Sequence, residues 1–149
     1  MRWLDIPPVW LLICVVCAYA LTAANAPGSF DPNLIMRGIG GIMVASGLGL
    51  MILAVFEMRR HRTTVIPHLT ASSLVTTGIF GYSRNPIYLG DLLILAGLCL
   101  RWGAVSALLL VPVLYWVLQK RFIEAEESRL SASFGPDFEA YRAATRRWI

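Results

Sequence analysis

Charge is scarce in this chain. Only 15% of its 149 residues are Asp, Glu, Lys or Arg, while 57% are hydrophobic. So little charge cannot clothe a water-soluble domain, which excludes an ordinary globular fold with a loop-rich surface. Cysteine is also sparse. Cys14, Cys17 and Cys99 are odd in number and all lie in apolar runs. That excludes a disulfide framework, and the CxxC of Cys14 and Cys17 has no companion ligands for a metal; all three read as small core residues. The two histidines, His61 and His68, stand in a polar loop at 57–70 with Arg59, Arg60 and Arg62. Both read as solvated, so no metal site and no histidine catalyst is expected.

Long apolar runs are present instead, at 8–24, 34–56, 87–100 and 103–118, and mean hydropathy is +0.64. The second run alone meets the roughly 20 residues that a helical crossing needs. The first is near the lower limit, and the last two are short enough that each must continue helically past an interface. The expectation is an all-α integral membrane bundle in one domain over 1–149, with four transmembrane helices and a C-terminal cytoplasmic interfacial helix carrying Phe138 and Tyr141 on one face. Arg142, Arg146 and Arg147 are expected elsewhere around that helix.

Eleven of the thirteen cations then fall on one side: Arg2, Arg59, Arg60, Arg62, Arg84, Lys120, Arg121, Arg129, Arg142, Arg146 and Arg147. Only Arg37 and Arg101 remain opposite. The positive-inside rule puts the termini and the central loop in the cytoplasm. A formal charge of +4 serves anionic lipid headgroups in such a chain and implies no nucleic-acid partner. Residues 1–26 mimic a secretory signal, with an apolar core and Ala24-Asn25-Ala26. Asp5 and the pair Pro7-Pro8 favour a retained first span.

Local signals sharpen the picture. Gly41, Ala45 and Gly49 recur at steps of four and predict a smooth face for helix packing. Pro112 predicts a kink in the fourth run. Trp102 fits an interfacial belt beside a turn at 101–103. The last run should carry on as a helix over 119–133, bringing Glu124, Glu126 and Glu127 with it, until Gly135-Pro136 breaks it. Asn85-Pro86 reads as a helix start in which Asn85 caps the backbone and Asp91 favours the helix dipole.

Chemistry gathers around that start. Capping explains Asn85 and Pro86 but leaves Arg84, Tyr88 and the preceding Thr77-Gly78-Ile79-Phe80 unexplained, and charge at membrane depth points to function. An antiparallel hairpin returns the end of its second helix beside the start of its first, so Glu126-Glu127 can lie near Arg84 and Tyr88. One side offers backbone N–H groups and Arg84 to an anion, and the other offers carboxylates to a cation. A zwitterionic amino-acid cofactor with an adenosine group matches both.

The order Thr77-Gly78-Ile79-Phe80, Arg84-Asn85-Pro86-Ile87-Tyr88-Leu89-Gly90, a hairpin, Glu126-Glu127-Ser128-Arg129-Leu130, then Phe134-Gly135, Phe138 and Tyr141 resembles the integral membrane methyltransferases of the isoprenylcysteine carboxyl methyltransferase and phospholipid N-methyltransferase superfamily. The resemblance covers about 70–142. It implies S-adenosylmethionine as methyl donor and a lipophilic acceptor. It also implies cofactor contacts from Ser73, Leu74, Val75, Phe80, Asn85, Pro86, Tyr88, Glu126 and Glu127, with Arg84 and Tyr88 as catalytic candidates. Asn85 stands where the family usually has His, and Phe80 where it has Tyr. Phe122 stands where prenylcysteine enzymes carry a substrate-contacting Arg, which argues against a prenylcysteine carboxylate. Two other readings stay open. One is an NADPH-dependent reductase, since sterol reductases are similar at Arg84, Tyr88, Gly90 and Asp91. The other is a membrane bundle without enzymatic activity. Oligomeric state is not legible.

Overall fold

The computed structural model describes residues 5–63 and 72–149, and among them every regular element is helical. Helix α1 spans Pro7–Ala23, α2 Leu34–Arg60, α3 Pro86–Trp102, α4 Leu110–Leu118 and α5 Glu124–Ala144. A 3-10 turn at Gly78–Gly81 precedes α3, another at Ser106–Leu109 precedes α4, and a π turn at Gln119–Ile123 joins α4 to α5. Two stretches are long and apolar enough to cross a membrane, Leu34–Arg60 and the continuous run Ser106–Ala144. Outward-facing Leu12, Val16, Ile35, Ile42, Ile52 and Trp116 give α1, α2 and α4 an apolar exterior that water would not tolerate. The molecule is a helical membrane protein.

The tightest packing is between α2 and α3, and it uses glycines other than those expected. A Cβ on Gly40 would come within 2.5 Å of the Gly97 carbonyl oxygen, and one on Gly47 within 2.6 Å of the Gly90 oxygen. The reciprocal contacts from Gly97 and Gly90 are 2.6 and 2.7 Å. Gly49 faces open space, and Gly41 meets only the Arg101 side chain. The packing seam therefore follows Gly40 and Gly47, seven residues apart, rather than Gly41, Ala45 and Gly49. The four glycines bring two backbones together in antiparallel register.

Both ends of the bundle are tied. At one end, Gly103 ends α3 with φ +70 and its carbonyl accepts from Phe30 N–H at 3.0 Å, while Arg101 donates to the Arg37 carbonyl at 3.1 Å. At the other end Arg121, just past α4, meets Asp5 at 3.0 Å and lies over the Trp10 ring. Start of α1, end of α2, start of α3 and end of α4 thus share one end. The core between α1, α3 and α4 contains Cys14, Ala18, Tyr88, Leu95, Cys99, Leu114, Leu118, Phe122 and Ile123. Cys17 is exposed, so only two of the three thiols are core residues.

Several local expectations are corrected. Pro112 falls in the first turn of α4, where a missing N–H costs no hydrogen bond, so the disturbance takes the form of the 3-10 turn before it rather than a mid-helix kink. The helix does continue over 119–133 as expected, with its first five residues wound as the π turn. Gly135, at φ 46 and ψ −118, leaves helical geometry as expected, but the helix resumes beyond Pro136. Phe138 and Tyr141 are buried against the chain itself.

Candidate functional site

Helix α3 begins at Pro86, whose ring presets the helical φ and whose absent N–H would have had no partner. Asn85 precedes it but does not cap it. Its Nδ2 donates instead to the Arg147 carbonyl at 2.9 Å, and the oxygen that accepts the Asn85 N–H, at 3.2 Å, belongs to Ser83. Asp91 lies beyond the first turn and is 1% exposed, so it is no surface partner of the dipole.

The returning helix brings its acids to this mouth. Tyr88 Oη donates to Glu126 Oε2 at 3.0 Å, and Arg84 Nη2 lies 3.4 Å from Glu127 Oε1. Burial raises the Glu126 carboxyl above its ordinary value, while the Tyr88 hydrogen bond pulls it back. Glu127 is held more firmly by a residue that the sequence did not single out for the site. Arg147 donates from Nε and Nη2 to its two oxygens at 3.0 and 2.6 Å, a bidentate pair that raises the guanidinium further. The segment after α5 crosses the mouth like a strap. Arg84 N–H donates to the Arg146 carbonyl at 3.1 Å, and Trp148 packs on Tyr115 with ring centres 5.0 Å apart. Arg146 and Arg147 therefore lie beyond the last helix and close over α3.

Arg84 is only 10% exposed in its side chain, yet its Nε and Nη1 have no hydrogen-bond partner among the described residues. Two buried guanidinium donors beside a helix N-terminus form an anion-seeking group. Glu127 also lines a cleft of about 560 Å³ with Glu124, Ser128, Ser131, Phe138 and Arg142, a size within the range of ligand sites.

The remaining predicted residues sit at the neighbouring end of α2. Phe80 belongs to the 3-10 turn, and its carbonyl accepts from Tyr141 Oη at 2.7 Å. Burial pushes that phenol up to about 12, so it stays a donor. Ser73 donates to the His61 carbonyl at 2.8 Å, Val75 is buried and Leu74 half-buried. Among the described residues no side-chain hydrogen bond joins Ser73 to the Tyr88–Glu126 pair. His61 is not merely solvated, since its Nε2 lies 2.9 Å from Thr77 Oγ1 and 3.4 Å from Glu57 Oε1. Thr77 donates to Glu57, which is 7% exposed. Gly78, at φ +59, leaves room for that carboxyl, where a Cβ would lie 2.9 Å from Glu57 Cδ. The Thr-Gly pair of the motif is thus docked on α2 through Glu57. His68 lies outside the described residues.

The phospholipid methyltransferase family pattern matches residues 35–137, more than half of the chain. The chain belongs to this family. It is also 28% identical over 120 residues to a protein of Schizosaccharomyces pombe named protein-S-isoprenylcysteine O-methyltransferase, a match covering 74% of this chain and 51% of that protein. The chain thus spans about half the length of that relative. No solved structure matches. The matched span of this phospholipid methyltransferase family member includes the α2–α3 glycine seam, the α3 mouth and both acids.

Proposed function

We propose that this chain is an S-adenosylmethionine-dependent methyltransferase acting on a lipophilic acceptor within the membrane. The observation that carries the reading is the mouth of the α3–α4 hairpin. There Glu126 meets Tyr88, Glu127 meets Arg84, and two Arg84 donors are left unpartnered. This donor set suits a zwitterion. Arg84 and the α3 N-terminus would hold a carboxylate, and Glu126 with Glu127 an ammonium. Phe80, Leu74 and Val75 would line the apolar side of an adenosine, with Ser73, Asn85 and Pro86 shaping the rim.

Bound there, the cofactor supplies an electrophilic methyl group on a sulfonium. The chain's own part is positioning and exclusion of water, which is where much of the rate of an in-line displacement originates. Tyr88 keeps Glu126 turned inward, and Arg84 holds Glu127 at the same level. The buried layer of Leu95, Leu118 and Phe122 seals the site from below. In this reading the chain is one domain and α1 to α4 cross the membrane. Glu124 onward, the termini and the donor site lie on the cytoplasmic side, and α5 rests at the interface. Eleven cations at that side and the shared end of α1 to α4 support this orientation.

Calorimetry on purified protein tests the assignment. S-adenosylmethionine should bind and NADPH should not. Loss of the Glu126 carboxylate in Glu126→Ala should weaken donor binding about 10- to 150-fold, the equivalent of one hydrogen bond to a charged group at ~1.5–3 kcal/mol. Unchanged affinity in that variant, or preference for NADPH, would overturn the reading.

A further inference from the structure

The methyl-transfer reading leaves one buried acid without work. Asp91 is 1% exposed, and both of its carboxylate oxygens lack a hydrogen-bond partner among the described residues. A carboxylate in that condition is among the most costly groups a membrane helix can carry. Tyr88, three residues earlier, lies on the same face of α3, and that face continues inward through Leu95 and Cys99 into the apolar core. Asp91 therefore lies about one turn inward of the mouth, where Tyr88 meets Glu126.

What faces it is also irregular. In antiparallel register with the Tyr88–Glu126 contact, the residues opposite Asp91 belong to the π turn Gln119–Ile123. Such turns occur mostly where function displaces a helix from regular geometry. Buried Phe122 and Ile123 offer no polar atom beyond their backbone, and Gln119 Oε1 is itself buried without a partner. The titratable groups nearest this face are Tyr88 and, beyond it, Glu126, both of which feel the charge of Arg129. Among the described residues no cation pairs with Asp91, which leaves its carboxyl open to a partner from outside the chain.

We infer that Asp91 is the proton acceptor of the transfer, receiving the N–H or O–H proton of an acceptor that enters from the lipid side with that proton still attached. The inference rests on the proposed methyltransferase function. The proton passes from acceptor nitrogen or oxygen to the Asp91 carboxylate. The lone pair so freed forms the new bond to the methyl carbon as the carbon–sulfur bond breaks, and sulfur keeps that electron pair as a neutral thioether. Asp91 then returns its proton to water through the mouth. A carboxylate acceptor has no such need and would meet repulsion from Asp91.

The test uses the full chain in vesicles containing phosphatidylethanolamine and a long-chain fatty acid, with methyl-labelled S-adenosylmethionine. Alkaline hydrolysis distinguishes the products, since a methyl ester releases methanol and an N-methyl group stays with the lipid. We expect alkali-stable label from the wild type. Asp91→Asn should lower kcat about 10²- to 10⁴-fold, as for loss of a general base, with donor Kd within threefold, and Asp91→Glu should restore part of the rate. With S-adenosylhomocysteine bound, adding the amine lipid should produce an infrared band of a protonated carboxyl that Asp91→Asn lacks. Alkali-labile product, or donor binding without any transfer, would overturn the inference. So would wild-type kcat in Asp91→Asn, or a lost donor affinity there with kcat intact. A wild-type chain that binds no S-adenosylmethionine would instead remove the methyltransferase reading beneath it.

Discussion

Arg147 shows how a single side chain can organise a mouth built from three helices. Its bidentate grip on Glu127 sits over Arg84, and its carbonyl accepts from Asn85. Arg147→Ala removes two charge-assisted hydrogen bonds to a carboxylate that is only 16% exposed. We predict a loss of ~1.5–3 kcal/mol, read as a lower thermal unfolding midpoint in detergent. Arg147→Lys should recover only part of it, because an ammonium cannot reproduce the planar fork. Glu126 supplies a second prediction at this scale. Burial raises its native pKa, so between the ordinary and the raised value the folded state holds a proton that the unfolded state has lost. Stability should therefore fall as pH rises from the ordinary carboxylate value through the raised one. Glu126→Gln should flatten that slope in pH-dependent thermal melts.

Elements obey a different logic, in which backbone approach decides what fits. Gly40, Gly47, Gly90 and Gly97 each face a carbonyl oxygen at 2.5–2.7 Å from a hypothetical Cβ. Gly47→Ala or Gly90→Ala should push α2 and α3 apart and destabilise the fold by ~1–3 kcal/mol, the usual cost of overpacking. Gly49→Ala, which meets open space, should be neutral or slightly stabilising. Parallel thermal melts of the three variants check the contrast. The helical membrane character was legible because long apolar runs dominate the chain and leave its few charges in the stretches between and after them. The α3 mouth was legible because Pro86, Tyr88 and the paired acids keep a recognisable spacing across a hairpin. The glycine register was not. Faces through Gly41 and Gly40 differ by about 100° of helix rotation, and one strand of sequence does not reveal which of them a partner will meet. The strap was hidden for a similar reason, since Gly135-Pro136 marks a break without fixing the dihedral pair that sets the chain direction after it. Glu57 read as loop polarity, and only its contact with Thr77 and Gly78 shows that it docks the motif.

At the scale of the molecule, a lipid-facing apolar exterior meets a polar mouth at one end. The exterior explains the scarcity of charge, and the mouth explains where the remaining charge is concentrated. Family membership rests on residues 35–137, the region in which the glycine seam fixes α3 against α2 and so fixes Tyr88 and Arg84 toward the returning acids. The most direct test is photo-crosslinking of methyl-labelled S-adenosylmethionine to the intact protein, followed by peptide mapping. The account predicts label in peptides carrying residues 73–90 and 124–130, reduced by excess S-adenosylhomocysteine and by Glu126→Ala. Label confined to other segments, or none above the level seen with unfolded protein, would contradict it.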